Sequence, residues 1–201
     1  MRVLLVAALV AAPCAWAQTP RVSQDQVEKV VAATFAGAAP EWRSRLKQDE
    51  TQRICSTTRG NPSKAQAAAI QAREAKSIFF PADGDMMGDW KRGAAIAESG
   101  LGGQFSDPPS TVSGGNCYAC HQMDPTEISF GTLGPSLAEY GRFHDFSADA
   151  ARAVYAKIFD PEATLACSNM PRFGHNGILT EQQIKDLTAY LMARDSPVNA
   201  P

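Results

Sequence analysis

Three residues of this 201-residue chain have the types and spacing needed to hold a metal cofactor: Cys117, Cys120 and His121. Two thiols separated by two residues and followed directly by an imidazole form the attachment site of a c-type haem. The two sulfur atoms add to the vinyl groups of the porphyrin, and the adjacent histidine becomes a ligand of the iron. The sequence therefore predicts one covalent haem c, tethered by Cys117 and Cys120 and coordinated by His121.

The same cysteine spacing also occurs in redox dithiols and in one half of a zinc site, and it can arise by chance. A thioredoxin-like dithiol stands in an alternating pattern of strands and helices, and a structural zinc site needs a second pair of ligands. The sequence shows neither feature. Haem attachment is therefore the favoured interpretation.

A second iron ligand is expected on the far side of the porphyrin, and Met170 is the best candidate. It lies in a loop directly before Pro171, and the 49 residues that separate it from His121 are enough to wrap the chain over a haem. A thioether opposite an imidazole stabilises ferrous iron, so we expect a higher reduction potential than with two histidines.

The remaining methionines and histidines are weaker candidates for this ligand. Met123 is too near His121 to reach across the porphyrin, and Met192 belongs to a predicted terminal helix. The alternatives to Met170 are His175, His144, Met86 and Met87.

Two further residues are expected near the iron site. The Gly-Pro turn at residues 133–137 can aim the Pro135 carbonyl at the free ring nitrogen of His121, which would fix the imidazole and strengthen it as a ligand. An ordinary turn between two helices explains the same residues equally well. Arg172 could pair with a haem propionate, although an exposed arginine is the commoner outcome.

The start of the chain predicts export. Arg2 precedes an apolar run over residues 3–12, and a small-residue site over residues 15–17 predicts a signal peptide cleaved after Ala17. Haem attachment after export places the mature chain in a bacterial periplasm. Cys14 follows Ala-Ala-Pro, which is not the usual lipid-attachment pattern, so we expect it to be removed with the leader.

Charge and hydropathy exclude two classes of partner. Removal of Arg2 takes the formal net charge from −2 to −3, and no run of basic residues offers a phosphate-binding patch, so we expect no nucleic-acid partner. The apolar run of the leader is too short to cross a bilayer, and no later stretch approaches the ~20 apolar residues of a membrane span.

Two more cysteines, Cys55 and Cys167, remain in the mature chain. An even number of cysteines in an oxidising compartment favours a disulfide between them, and a loop of this length corresponds to about 4 kcal/mol in the chain-entropy model. The bridge would join the N-terminal part of the chain to a point three residues before Met170. A reactive thiol or a bond to a partner subunit is the alternative.

Helical patterns must position these residues, and we predict an all-α chain. The expected helices cover residues 23–35, 41–53, 64–80, 89–97 and 181–192, with Ser23 and Thr180 as caps. Gly93 and Ala97 place two small residues on one helix face, so the apolar stripe of the terminal helix should cross there. This is the arrangement of a class I cytochrome c domain, in which N- and C-terminal helices cross beside a covalent haem.

The predicted domains are a signal peptide (1–17), a helical N-terminal extension (18–88), the cytochrome c domain (89–195) and a tail (196–201). The extension offers no ligands for chemistry. We therefore expect its apolar face to be a docking surface for another protein.

Two spans resemble SoxX, the small monohaem cytochrome c subunit of the SoxAX complex of bacterial sulfur oxidation: GGNCYACHQMDPTEISFGTLGPSLAEYG and KIFDPEATLACSNMPRFGHNGILTEQQIKDLTAYL. The likeness covers about residues 89–193. The attachment motif is common among cytochromes c, but its combination with NMPRFG and the terminal TEQQIKDLTAYL is more specific. The resemblance places the haem residues of the family on Cys117, Cys120, His121 and Met170.

The resemblance also implies a role and partners. SoxAX is an L-cysteine S-thiosulfotransferase that oxidatively joins thiosulfate to a cysteine of the SoxYZ carrier, and the sulfur chemistry is assigned to the SoxA-type cytochrome subunit. This chain would be the non-catalytic partner of that subunit, taking up electrons and passing them to a soluble cytochrome c acceptor. Two alternatives remain open: a free electron shuttle without a partner subunit, and a ligand-binding or sensory haem protein.

Overall fold

The computed structural model describes residues 22–104, 106–108 and 110–200, so the predicted signal peptide lies outside the described residues. The described residues form helices, turns and loops, and none of them is in a strand. None of the described helices is long and apolar enough to cross a membrane. The helices are α1 (Gln24–Thr34), α2 (Pro40–Arg43), α3 (Glu50–Thr58), α4 (Lys64–Ala75), α5 (Trp90–Glu98), α6 (Tyr140–Phe143), α7 (Ala148–Phe159) and α8 (Glu181–Met192).

The chain divides into two compact units between residues 47 and 48, and the division falls inside the predicted N-terminal extension. In the first unit, α1 begins with the predicted capping box, in which the Ser23 hydroxyl accepts the N–H of Gln26 and the Gln26 side chain accepts the N–H of Ser23. No side chain of α1 is buried. Helices α3 and α4 belong to the second unit.

The predicted helix over residues 41–53 is wrong, because the chain forms two helices there. Helix α2 ends at Arg43, and α3 begins only at Glu50. Asp49 caps α3: its carboxylate accepts the N–H of Gln52, and the Gln52 side chain accepts the N–H of Asp49. This local capping box starts a new helix at the point where the prediction continued the old one.

Helix α4 begins at Lys64, as predicted, with Ser63 as its cap, but it ends five residues earlier than predicted, at Ala75. The Ser77 hydroxyl donates to the carbonyl of Glu74, which closes the last turn. The chain then leaves the helix axis so that the Phe80 ring lies 5.8 Å from the ring of Tyr155 on α7. Packing of this aromatic side chain against α7 therefore replaces a further helical turn.

Helices α5 and α8 cross at the centre of the second unit, as the small residues of α5 predict. A Cβ atom on Gly93 would lie 2.1 Å from the carbonyl oxygen of Asp186 and 2.8 Å from Cβ of Tyr190, so only glycine allows this approach. Ala97 is fully buried one turn further on. On α8, the predicted apolar stripe is buried and consists of Ile184, Leu187 and Leu191.

Candidate haem site

The predicted attachment residues lie on one tight turn, a 3-10 helix over Cys117–Ala119 followed by Cys120 and His121. The N–H groups of Cys120 and His121 both donate to the carbonyl of Cys117, at 3.1 and 2.9 Å. The thiols of Cys117 and Cys120 are partly buried and form no disulfide. The turn therefore presents two separate sulfur atoms and the imidazole from five consecutive residues.

Helix α5 supports this turn from behind. The N–H of Gly115 donates to the carbonyl of Ile96, and the N–H of Asn116 donates to the carbonyl of Ser99, at 2.8 and 2.9 Å. Asn116 has a left-handed backbone (φ 46°), which turns the chain away from these two hydrogen bonds and toward Cys117. The end of α5 and the attachment turn are thus one hydrogen-bonded structure.

The His121 ring is held by the turn that the sequence singles out. Its Nδ1 lies 2.7 Å from the Pro135 carbonyl oxygen, which accepts a hydrogen bond when that nitrogen is protonated. Gly134 lies flat against the ring: a Cβ on this residue would be 2.2 Å from Cε1 of His121. In this tautomer Nε2 keeps its lone pair and is the atom free to bind a metal.

These donors fit a c-type haem, which requires two unpaired thiols and an imidazole with one free nitrogen. The chain after the turn also presents apolar side chains to the surface, with Ile128 91 % and Leu133 72 % exposed. Apolar side chains beside the attachment motif suit the face of a porphyrin. Cys117, Cys120 and His121 are therefore the residues that would hold haem c.

Met170 lies in the loop between α7 and α8. Its side chain is half-buried and packs against the core of the second unit. The loop is fixed just beyond it: the N–H groups of Gly174 and His175 both donate to the carbonyl of Phe159, at 3.0 and 3.1 Å. A Cβ on Gly174 would lie 2.4 Å from the Phe159 ring, so the loop touches the end of α7. Coordination of iron by Met170 stays a prediction.

The other candidate ligands have different surroundings. Met86, Met123 and Met192 are buried in the core, and Met87 packs against it. His144 is exposed, with its ring 4.3 Å from the ring of Tyr140. The positions of these side chains are explained by their packing contacts, without coordination of a metal.

The structure joins Cys55 on α3 to Cys167 by a disulfide, with an Sγ–Sγ distance of 2.04 Å. The two cysteines are 112 residues apart in sequence. Cys167 has a left-handed backbone (φ 60°), a conformation that few side chains adopt outside turns. The bridge therefore ties α3 to a sharp bend three residues before Met170.

Arg172 is not exposed, so the commoner outcome expected from the sequence is wrong, and its pairing with a haem propionate stays a prediction. Its side chain is only 6 % exposed, and the guanidinium pairs with three carboxylates. Nε donates to Asp160 at 3.0 Å, while the two terminal nitrogens donate to Asp49 and Glu74. The sequence could not reveal these partners, because they are 12, 123 and 98 residues away.

The carboxylates around Arg172 differ in their protonation behaviour. Burial raises the pKa of Glu74, but hydrogen bonds from Thr51 and Arg73 and the charge of Arg172 outweigh it, so the net shift is downward. For Asp160 burial is the larger effect, and its pKa is raised although Arg172 opposes the shift. Glu74 therefore carries its negative charge more readily than Asp160.

A contact that no sequence pattern indicates connects the attachment turn to α8. The hydroxyl oxygens of Tyr118 and Tyr190 lie 2.7 Å apart, and the N–H of Asp124 donates to the Tyr118 oxygen. Burial raises the pKa of both phenols. The residue between the two cysteines is therefore anchored in the helix crossing.

Comparison with known proteins agrees with this geometry. The family model for cytochrome c matches residues 91–195. A protein of Aquifex aeolicus (strain VF5), described as an uncharacterized lipoprotein, is 35 % identical over 166 residues, which cover 80 % of this chain and 78 % of that protein. The matched region begins in α5 and ends just after α8, so it contains the whole helix crossing and the attachment turn. The chain belongs to the cytochrome c family and is a haem electron-transfer protein with covalently bound haem c.

Proposed function

We propose that this chain is the electron-accepting subunit of a SoxAX-type complex in the periplasm. The proposal is supported by the resemblance of two long spans to SoxX. The observation that carries it is the segment over residues 169–174, which belongs to the resemblance and presents Met170 from a loop pinned to α7. A partner cytochrome of the SoxA type would perform the sulfur chemistry on thiosulfate and the SoxYZ carrier.

The residues of this chain would position and protect the electron carrier. When bound, haem c supplies a site that gains and loses one electron at a time. Cys117 and Cys120 hold it covalently, so it cannot be lost during docking and release of partners. The Pro135 carbonyl fixes the orientation of the His121 ring, which would be a ligand of the iron. No residue of this chain needs to contact thiosulfate.

The ligand set can be tested by spectroscopy of the exported, haem-loaded protein. We expect the long-wavelength methionine-to-iron charge-transfer band in the ferric protein, and its loss in Met170→Leu. The Met87→Leu variant, which also alters a partly buried methionine, should keep the band. A wild-type protein without the band, or a Met170→Leu variant that retains it, would exclude Met170 as the ligand.

The complex can be tested by purification of the tagged chain from the periplasm of its native host. We expect a second c-type cytochrome to copurify at equal stoichiometry and thiosulfate-dependent reduction of the haem in the presence of the SoxYZ carrier. A monomer that exchanges electrons with a soluble acceptor but has no bound cytochrome would instead identify a free electron shuttle, which is the second candidate function.

A different localisation is suggested by the relative described as a lipoprotein. A lipid anchor on this chain would require Cys14 to be the first residue after cleavage, but Pro13 precedes it where a small residue is expected. We therefore favour cleavage after Ala17 and release into the periplasm. The N-terminal sequence of the mature protein decides between the two sites, and incorporation of labelled fatty acid would overturn our choice.

A further inference from the structure

Residues 48–77, which contain α3 and α4, lie outside the region matched by the cytochrome c family. Within the second unit, this segment is connected to the chain on both sides of Met170. The Cys55–Cys167 disulfide lies three residues before it, and Arg172, which pairs with Asp49 and Glu74, lies two residues after it. The segment therefore holds both ends of the short stretch that carries Met170.

The tie through Arg172 is buried and charged. The side chains of Glu74 and Asp160 are 4 % and 0 % exposed, so their bonds to the guanidinium are shielded from water. Thr51, at the start of α3, donates its hydroxyl to Glu74, and Arg73 donates to the same carboxylate. Removal of one partner from such a group leaves an uncompensated buried charge, which is costly.

Weaker contacts extend the same connection. The side-chain amide of Gln71 on α4 donates to the carbonyl of Thr164 at 2.7 Å, and the Ser77 hydroxyl lies 3.4 Å from Nδ1 of His175. Together with the disulfide and the Arg172 pairs, these contacts reach the chain from Thr164 to His175. This is the whole loop that would have to stay in place for a thioether to remain on iron.

Packing alone does not fix Met170 from the side of α3. An open cleft of about 460 Å³ lies between α3 and the loop, and Met170 is among its lining residues together with the polar side chains of Gln48, Gln52 and Ser168. The loop therefore borders free space on this side. Its position there depends on the covalent and ionic ties at its two ends, in addition to the backbone hydrogen bonds that join residues 174 and 175 to α7.

We infer that residues 48–77 act as a clamp that keeps Met170 on the iron. Arg172 is the positioning residue that connects this clamp to the loop of Met170. The inference rests on the proposed function, because it assumes that Met170 is the sixth ligand. It goes further by assigning a role to a segment that the family match leaves out. If the clamp is weakened, Met170 leaves the iron more often while the attachment turn and His121 are unaffected.

Competition with free imidazole measures the fraction of molecules in which Met170 has left the iron. Imidazole can bind the iron only in molecules from which Met170 has dissociated, so its apparent affinity rises in proportion to that population. The test uses the full-length, haem-loaded protein with the Asp49→Asn variant. Asparagine caps a helix as well as aspartate does, so α3 keeps its start while Arg172 loses one charged partner.

We expect imidazole to bind Asp49→Asn about tenfold more tightly than wild type, which corresponds to the loss of one charge-assisted hydrogen bond. Arg172→Gln should show a larger increase, and Arg172→Lys should restore part of the wild-type affinity. The Cys55→Ser/Cys167→Ser double variant should weaken the hold independently. Glu139→Gln, which removes the partner of the exposed Arg142, is the matched control and should leave imidazole affinity unchanged.

Hydrogen exchange gives a second readout that does not depend on the iron. Amides of residues 168–176 should exchange faster in the clamp variants, whereas amides of the attachment turn should not change. Clamp variants with wild-type imidazole affinity and the charge-transfer band intact would overturn the clamp alone. A wild-type protein without that band would refute the ligand assignment itself, so the two failures are distinguishable. If Arg172→Gln does not fold, Asp49→Asn still decides, because Asp49 is 40 % exposed.

Discussion

Arg92 on α5 donates two hydrogen bonds to Asp186 on α8, from Nε to Oδ2 at 2.8 Å and from Nη2 to Oδ1 at 2.9 Å. The same carboxylate accepts the N–H of Asp89 and the side-chain amide of Gln182. Burial raises the pKa of Asp186, but these hydrogen bonds and the charge of Arg92 outweigh it, and the net shift is downward. A charged carboxylate therefore locks the helix crossing that supports the attachment turn.

Replacement of Asp186 by Asn should lower the free energy of unfolding by about 2 kcal/mol at pH 7, because charge-assisted hydrogen bonds to the buried carboxylate are lost. Folding lowers the pKa of Asp186. The contribution of its charge to the free energy of unfolding is therefore present above pH ~4, the ordinary pKa, and disappears as the pH falls through the pKa of the folded protein. Urea denaturation at several pH values should show the variant and wild type converging in acid. A difference that does not depend on pH would contradict the role of the charge.

Replacement of Gly93 by Ala should destabilise the second unit by about 2 to 3 kcal/mol, because the new methyl group would overlap the backbone of α8. Thermal or urea denaturation measures the effect. Gly37→Ala is the matched control, since a Cβ there would meet no atom within 4 Å. If Gly93→Ala is as stable as this control, the helices do not cross as closely as described.

Replacement of Gly134 by Ala should disturb the iron ligand without disturbing the fold. The added Cβ would displace the His121 ring and break its contact with the Pro135 carbonyl. We expect the ferric protein to gain a high-spin population, seen by electron paramagnetic resonance, and its reduction potential to change. A variant with the wild-type spin state and potential would show that the ring does not depend on this turn.

Alkaline titration should separate the folded from the unfolded chain. Burial raises the pKa of all four tyrosines, that of Tyr155 to about 12. The native protein should therefore form less phenolate at pH 10 than the chain in urea, which is about half ionised there. Because folding raises these pKa values, the contribution of the neutral phenols to the free energy of unfolding is complete below about pH 10. It is lost as the pH rises through the pKa values of the folded protein. Equal phenolate absorbance of the native protein and of the chain in urea near pH 10 would contradict these raised pKa values.

Local signals in the sequence were sufficient to predict much of the fold. Ser23 and Thr180 each accept a backbone N–H three residues later, as their capping pattern predicts. The small face of α5 and the apolar stripe of α8 predicted their crossing, because a close approach needs small residues on one side. The same kind of signal was present at Asp49 and Gln52, but the prediction passed over it.

Long-range ion pairs and hydrogen bonds between side chains could not be predicted. Nothing near Arg172 in sequence indicates that its guanidinium pairs with Asp49 and Glu74, because such pairs depend on how distant segments meet. The Tyr118–Tyr190 contact is of the same kind, since a tyrosine between two haem-attaching cysteines has no sequence pattern that names its partner. The attachment turn itself was predictable, because its chemistry is contained in five consecutive residues.

The crossing of α5 with α8 also sets an order of assembly. Asp186 and Tyr190 lie within the last 16 residues of the chain, and they complete contacts with Arg92 and Tyr118 that began about 90 and 70 residues earlier. In a chain made from its N-terminal side, the attachment turn appears well before the helix that closes over it. The cysteines thus remain reachable for haem attachment until α8 has formed.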